Sequence, residues 1–424
     1  MKKLVSIVLA LMLALSVAAV ASAETTGSVY YLNFKPEADQ AWQDLAKLYT
    51  EQTGVEVKVL TAASGTYDTT LTSEMDKGDN APTLFQCGNQ GAVNTWGNYC
   101  LDLTGTKVFD ELTTEDFNMK GADGETLSIG YCYESFGIIV NKALLAKAGY
   151  SIEDIKDFAS LKTIAEDIHA RAAELGFDAF TSSGMDSSSS WRFSGHLANM
   201  PLFYEFRDDG VTEQPATITG AYLDNFKAIW DLYIQNSAAD PAQLSSYTGD
   251  QAEAEFGKGK AVFYQNGTWE YSNLTQKFGM KDEDLAMIPI YCGVDGEENA
   301  GLCSGTENCW AVNKNAPQAN IDATLDFLYW VVTSDEGTEM LAKEFGPCPF
   351  KNAKETANVF CNDANAYTAA GKYVVTWAFN YTPAVDDWRA GVVSAMTQYS
   401  AGSGSWDDVV TAFVGGWAYQ YENQ

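Results

Sequence analysis

A strand, a helix and a second strand follow one another closely near the start of this chain. The run Val29–Asn33 is rich in β-prone side chains, and a helical pattern from Trp42 to Tyr49 ends near Gly54. Residues 55–60 (VEVKVL) then alternate between apolar and polar, as a strand does. Strand, helix and strand within about thirty residues form a βαβ unit, which requires parallel strands and a right-handed crossover.

The same alternation continues along the chain. The pattern predicts a helix over 70–77, a strand over 81–85 and an apolar helix over 322–332, while Ser405 and Asp408 have the spacing of a capping box. We therefore predict an α/β fold with open, mainly parallel sheets flanked by helices. Ligands of such sheets bind at the carboxyl ends of the strands.

Residues 1–23 have the three zones of a secretory signal peptide. Two lysines precede an apolar segment, and Ala21-Ser22-Ala23 comes directly before Glu24. The apolar segment is too short for a stable membrane span. The first cysteine is Cys87, so no lipid-attachment cysteine is seen near the cleavage site. We expect an exported protein in the periplasm or at the outer face of the cytoplasmic membrane.

About 400 residues follow the predicted signal peptide. This is more than one hydrophobic core usually holds, so two lobes are expected. Without the two lysines of residues 1–23, 24 basic side chains face 57 acidic ones, a formal charge of −33. Such a charge argues against nucleic acid and anionic membrane surfaces as partners. It is compatible with a neutral or a cationic ligand.

The chain has eight cysteines and two histidines, His169 and His196, without the short Cys-x2-Cys spacing of a zinc site. We therefore expect neither a metal nor a cofactor. An even number of cysteines in an exported protein is compatible with disulfides, but buried free thiols are an equal alternative. The sequence does not decide between these two states, nor which cysteines would pair.

Catalytic motifs are not found: there is no G-x-S-x-G elbow, phosphate loop, H-E-x-x-H or dinucleotide fingerprint. A glycosidase needs only two facing carboxylates, and Glu134, Glu270 and Glu307 lie near aromatic or glycine-rich turns. Each is better interpreted as a polar contact or a surface acid.

Aromatic and polar side chains gather where predicted strands end. An Asn-Gly turn at the end of the apolar run 261–265 delivers Trp269, and the serine-rich loop 181–190 leads into Trp191 and Arg192. Other such positions are Asn33, Glu37, Tyr133, Glu134, Ser304, Glu307 and Trp310. A sugar has apolar C–H faces edged with hydroxyls, so flat rings beside hydrogen-bonding groups suit it.

Several blocks resemble the extracellular solute-binding proteins of ABC importers, of the maltose-binding type. They are NKALLAKAGY at 141–150, GKAVFYQNGTWE at 259–270, and WAVNKNAP at 310–317 followed by TLDFLYWVVTSDEGTEML at 324–341. The resemblance implies two lobes that close over a ligand about a hinge. The lobes would be 24–130 plus 290–345 and 131–289 plus 346–424, with crossings near 130–136, 288–292 and 345–349.

The resemblance also implies roles for single residues. Trp269 would stack on a sugar ring, with Tyr133, Glu134, Ser304, Glu307, Asn33 and Glu37 as further ligand contacts, while Trp191 and Arg192 follow from the loop pattern alone. The expected partners are an oligosaccharide and membrane permease subunits, and the protein would be a monomer without catalytic activity.

Three alternatives remain at this level. A polyamine binder of the same fold would also use aromatic rings and carboxylates. A secreted polysaccharide hydrolase would use two acids of the crevice, and a purely structural surface protein would bind no ligand.

Overall fold

The computed structural model describes residues 27–423, so the predicted signal peptide, residues 1–23, lies outside the described residues. Two six-stranded sheets organise the chain. The first contains β1 (Val29–Asn33), β2 (Val57–Thr61), β3 (Leu84–Gln86), β4 (Met119–Lys120), β5 (Thr126–Gly130) and β11 (Cys309–Val312). The second contains β6 (Glu134–Asn141), β7 (Asp178–Phe180), β8 (Ala261–Gly267), β9 (Leu285–Ile288), β10 (Ala300–Gly305) and β12 (Tyr373–Thr376).

The first lobe has the strand order β2-β1-β3-β11-β5-β4. Its helices are α1 (Asp39–Thr53), α2 (Tyr67–Met75), α3 (Gln90–Trp96), α4 (Lys107–Asp110), α12 (Gln318–Thr333) and α13 (Asp335–Glu344). Alternate strand residues point to opposite faces of the sheet, so the lobe has two cores. Tyr31 and Trp310 belong to the core under α1, α12 and α13, whereas Leu32 and Phe85 belong to the core under α2 and α3.

The second lobe has the order β12-β10-β6-β8-β7, with β9 also paired to β6. Its helices are α5 (Lys142–Ala148), α6 (Phe158–Ala170), α7 (Ala172–Leu175), α8 (Asn199–Asp209), α9 (Leu223–Gln235), α10 (Gly249–Gly257), α11 (Glu270–Ser272), α14 (Val359–Ala369), α15 (Val385–Ser400), α16 (Trp406–Val410) and α17 (Gly416–Asn423). Strand β8 is buried along its whole length, which explains the continuous apolar run that leads into the Asn-Gly turn.

The bilobal α/β fold is confirmed, but the sheets are mixed rather than mainly parallel. Strand β1 pairs in parallel with β2 and β3, as the βαβ pattern predicts, and β11 then pairs antiparallel with β3 and β5. Strand β6 is antiparallel to β8, β9 and β10. A crossover helix fixes neighbours as parallel, whereas strands that enter a sheet from the other lobe have no such constraint.

The chain passes between the two sheets at residues 131–133, where β5 ends and β6 begins. A second passage is at 306–308, because β10 pairs with β6 in the second sheet and β11 with β3 in the first. This corrects the predicted crossing near 288–292, since the chain forms β10 in the second sheet before leaving it. Phe350 still packs in the first core and α14 packs on β9, so the third passage follows residue 350 rather than lying at 345–349.

All eight cysteines lie among the described residues, and none of them forms a disulfide. Seven are buried and Cys348 is half-buried. Between Gly27 and Asn423, no helix is long and apolar enough to cross a membrane. The predicted capping box at Ser405 and Asp408 is present.

Candidate functional site

The turn after β1 presents a lysine to the second lobe. The Asn33 side chain is fully buried; its Oδ1 accepts a hydrogen bond from the Lys35 N–H at 3.0 Å, and its Nδ2 donates to the Lys35 carbonyl at 2.8 Å. These two bonds fix the backbone of Lys35. Asn33, predicted to contact a ligand, uses its side chain to shape the turn that carries Lys35.

Lys35, just after β1 in the first lobe, pairs with Glu134 at the start of β6 in the second. The Lys35 ammonium donates to both carboxylate oxygens of Glu134, at 3.0 and 2.9 Å, and Glu37 Oε1 lies 3.6 Å from the same nitrogen. Asn308 Nδ2 donates to Glu134 Oε2 at 2.7 Å. Burial alone would lower the pKa of Lys35, but the charges of Glu134 and Glu37 outweigh burial and raise it, so the ammonium stays charged.

Trp269 lies on the turn that ends β8, and its indole folds back over Gly267. A Cβ atom at Gly267 would come within 2.2 Å of the indole ring, so only glycine permits this approach. The ring is half-buried and faces Lys35, whose Nζ is 4.8 Å from the ring centroid. Trp269 thus contributes an aromatic face to the cleft.

Two further rings from the second lobe flank Trp269. Trp191 and His196 have ring centroids 6.1 and 5.4 Å from that of Trp269. His196 stacks on Phe136 at 4.0 Å, and its Nδ1 is 3.0 Å from Gln265 Nε2. Burial, followed by the charges of Arg389 and Arg192, lowers the pKa of His196 well below its usual value, so the imidazole is neutral at neutral pH. The rings of Trp269, Trp191 and His196 form one aromatic wall, in which the two tryptophans are partly accessible and His196 is buried.

Arg192 lies behind this wall rather than on it. Its side chain is 1% exposed, and the guanidinium donates to the carbonyls of Gln265 and Ser182 and to Ser189 Oγ, at 2.9–3.0 Å. Arg192 was predicted to contact a ligand, but in this structure its hydrogen bonds are all made inside the second lobe. It ties the serine-rich loop to β8 and so positions Trp191.

Three other predicted residues lie around the hinge. The Oγ atoms of Ser304 and Ser135 are 2.6 Å apart, linking β10 to β6. Glu307 accepts a hydrogen bond at 2.8 Å from Asn89, the residue that caps the N-terminus of α3. The Tyr133 ring stacks on Phe117 at 5.2 Å. All three are partly accessible. The contacts of Glu307 and Tyr133 join the first-lobe residues Asn89 and Phe117 to the passages between the sheets.

Trp310 does not face the cleft. It is 1% exposed and stacks on Tyr131 at 4.1 Å, with Trp42 and Phe350 at 6.0 and 6.4 Å. The sequence places Trp310 after a glycine-rich turn, which made it a candidate. Because it lies within β11 on the face under α12, it packs in the first core instead.

Sequence reasoning missed Lys35, His196 and Asn308, each of which contacts a predicted site residue. Lys35 and Asn308 donate hydrogen bonds to Glu134, and the His196 ring lies beside that of Trp269. Lys35 stands between Asn33 and Glu37 in the sequence, so its position was close to two predicted contacts. His196 and Asn308 carried no such signal, because their partners are distant in sequence.

Glu270 directly follows Trp269 and is also buried. Burial, followed by the charges of Glu253 and Glu37, raises the pKa of Glu270 to about 8, against a weaker lowering by Arg192. Its Oε1 accepts from Asn266 at 2.8 Å, and its Oε2 is buried without a partner. Among the described residues, no group of three or more metal-ligating side chains is found.

Two lobes that meet over rings, an ion pair and amide groups have the architecture of a binding protein. The chain belongs to the family of bacterial extracellular solute-binding proteins, whose family model matches residues 44–369. No curated protein matches the chain in sequence.

Solved structures share the fold over almost the whole chain. The solute-binding protein RafE in complex with raffinose has a TM-score of 0.73 at 13% identity, covering 93% of this chain and 100% of that one. A chitin oligosaccharide binding protein has a TM-score of 0.72 at 16% identity, with 94% and 100% covered. The GacH receptor of Streptomyces glaucescens has a TM-score of 0.71 at 18% identity, also with 94% and 100% covered. At such identities the likeness concerns the fold.

Proposed function

We propose that this protein is the exported substrate-binding component of an ABC importer, which captures an oligosaccharide by hinge closure and delivers it to membrane permease subunits. The observation that carries the proposal is the aromatic wall of Trp269, Trp191 and His196, set in the cleft beside Glu134, Glu37 and Lys35. A pyranose ring can stack on such a wall while its hydroxyls bond to the polar groups at the edge.

The cross-lobe contacts support capture by closure. Lys35 belongs to the first lobe, and its partners Glu134 and Trp269 belong to the second. A ligand that contacts both sides gains its full interaction energy only when the lobes are shut, so it selects the closed arrangement. The family membership and the named sugars of the similar structures support a carbohydrate and a transport role.

The alternatives have less support. A polyamine would bring positive charge to a place where Lys35 already supplies an ammonium. For a hydrolase using Glu134, both carboxylate oxygens already accept hydrogen bonds, from Lys35 and Asn308. These contacts favour orientation of a bound ligand over proton transfer to it.

A thermal-shift screen followed by calorimetry tests the proposal. The panel is raffinose, acarbose, chito-oligosaccharides and xylo-oligosaccharides, with spermidine as the cationic probe. We expect at least one oligosaccharide to raise the melting temperature, because a ligand that binds only the folded state stabilises it by mass action. Salt-sensitive binding of spermidine with no sugar bound, or release of reducing ends, would contradict the proposal. Permease genes beside the coding gene are expected as well.

A further inference from the structure

The ammonium of Lys35 occupies a cage built by both lobes. It lies 4.8 Å from the Trp269 ring centroid and 5.6 Å from that of Phe34. Glu134 contacts it with both oxygens, and Glu37 Oε1 is 3.6 Å away. Lys35 is 7% exposed and Glu134 3%. Two ring faces and two carboxylates around one nitrogen form the surroundings that proteins use to bind alkylammonium ligands.

The lysine is held in this cage by its own backbone. The two hydrogen bonds of Asn33 fix the Lys35 main chain at the end of β1, so the ammonium is presented to the cage at a high effective concentration. A free amine must compete with this tethered one for the same rings and carboxylates. It must also enter a cleft where the lysine charge repels it.

We infer that Lys35 is a specificity-determining residue: its ammonium fills an amine-binding cage at the centre of the cleft and thereby excludes free alkylammonium ligands. The inference rests on the proposed function, because it explains how a cleft lined by carboxylates in a strongly acidic protein remains selective for neutral sugars. It is tested separately from the proposed function, because it concerns which ligand binds in the cage once Lys35 is removed.

Replacement of Lys35 by alanine tests the inference. The variant leaves Glu134, Glu37 and Trp269 in place without their counter-charge. The probe is n-butylammonium chloride, which matches the removed side chain, with butan-1-ol as the neutral isostere and sodium chloride at equal ionic strength as the salt control. We expect butylammonium to raise the melting temperature of K35A and to bind it about tenfold or more tightly than the wild type, with an affinity that falls as salt rises.

Two control variants make the result specific. In K35A/E134Q the cage loses its main carboxylate, so the gain of amine binding is expected to disappear. Lys58 also lies over a ring, 3.8 Å from the Tyr30 centroid, but it is an exposed residue of the edge strand β2. K58A should gain no amine binding.

The inference is overturned if K35A binds butylammonium no better than the wild type does, if butan-1-ol has the same effect, or if K58A or K35A/E134Q gains equally. Should K35A fail to fold without amine, K35Q, which keeps the first two methylenes of the stem and removes the charge, is measured with the same probe. Failure of the proposed function is a separate result, because it would appear as the absence of sugar binding by the wild-type protein.

Discussion

At the scale of single residues, Gly267 and Trp269 act as one unit. The indole lies where a Cβ of residue 267 would be, so the glycine that forms the turn also seats the ring. The Asn-Gly-Thr-Trp pattern predicted a turn followed by a ring near the carboxyl end of a strand. It could not predict that Trp191 and His196 lie beside that ring, because those contacts join segments about 75 residues apart in sequence.

We expect Trp269→Ala to leave the protein folded and to weaken ligand binding by roughly 1–3 kcal/mol, the value of burying one large apolar side chain. Titration calorimetry with the best oligosaccharide of the screen measures the change. Trp330→Ala is a matched control, since Trp330 is also half-buried but packs on Tyr49 in the first lobe. Equal affinity in the W269A variant and the wild type would remove Trp269 from the site.

At the scale of elements, the serine-rich loop and the π-helical turn Arg192–Leu197 form a support for the aromatic wall. The composition of residues 181–190 correctly predicted an irregular loop followed by an aromatic residue. The direction of Arg192 could not be predicted, because it depends on the buried carbonyls of Gln265 and Ser182, which belong to separate segments. A charged side chain next to a tryptophan looks like a ligand contact until these acceptors are known.

Arg192→Met is expected to lower the free energy of unfolding by roughly 2–4 kcal/mol, because two buried carbonyls lose a charged donor. Urea denaturation measures this loss. Arg207→Met serves as the control, since Arg207 is on the surface and pairs with Asp208, where an ion pair contributes about 0–1 kcal/mol. If R192M lost ligand affinity at unchanged stability, Arg192 would be a ligand contact after all.

At the scale of the whole molecule, the two lobes and their α/β character were predictable from chain length, alternation and the resemblance to solute-binding proteins. The passage at 306–308 was not, because β10 joins the second sheet through pairing with β6, some 170 residues earlier in the chain. The direction of strands that pair with distant segments, and the positions of the lobe crossings, are long-range properties that local patterns do not encode.

Because the cysteines are buried, the rate at which each thiol can be modified reports how often its surroundings open. Burial raises the pKa of Cys132 and Cys303 well above the usual thiol value, so neither is reactive while the structure is shut. Cys132 lies in the first passage between the lobes, whereas Cys303 lies inside β10. We therefore expect the rate at which a thiol-specific reagent modifies Cys132 to follow the opening of the hinge. The rate for Cys303 should follow the much rarer unfolding of the second lobe. Mass spectra recorded over time, which follow the modification of each cysteine, would separate hinge opening from unfolding without any introduced probe.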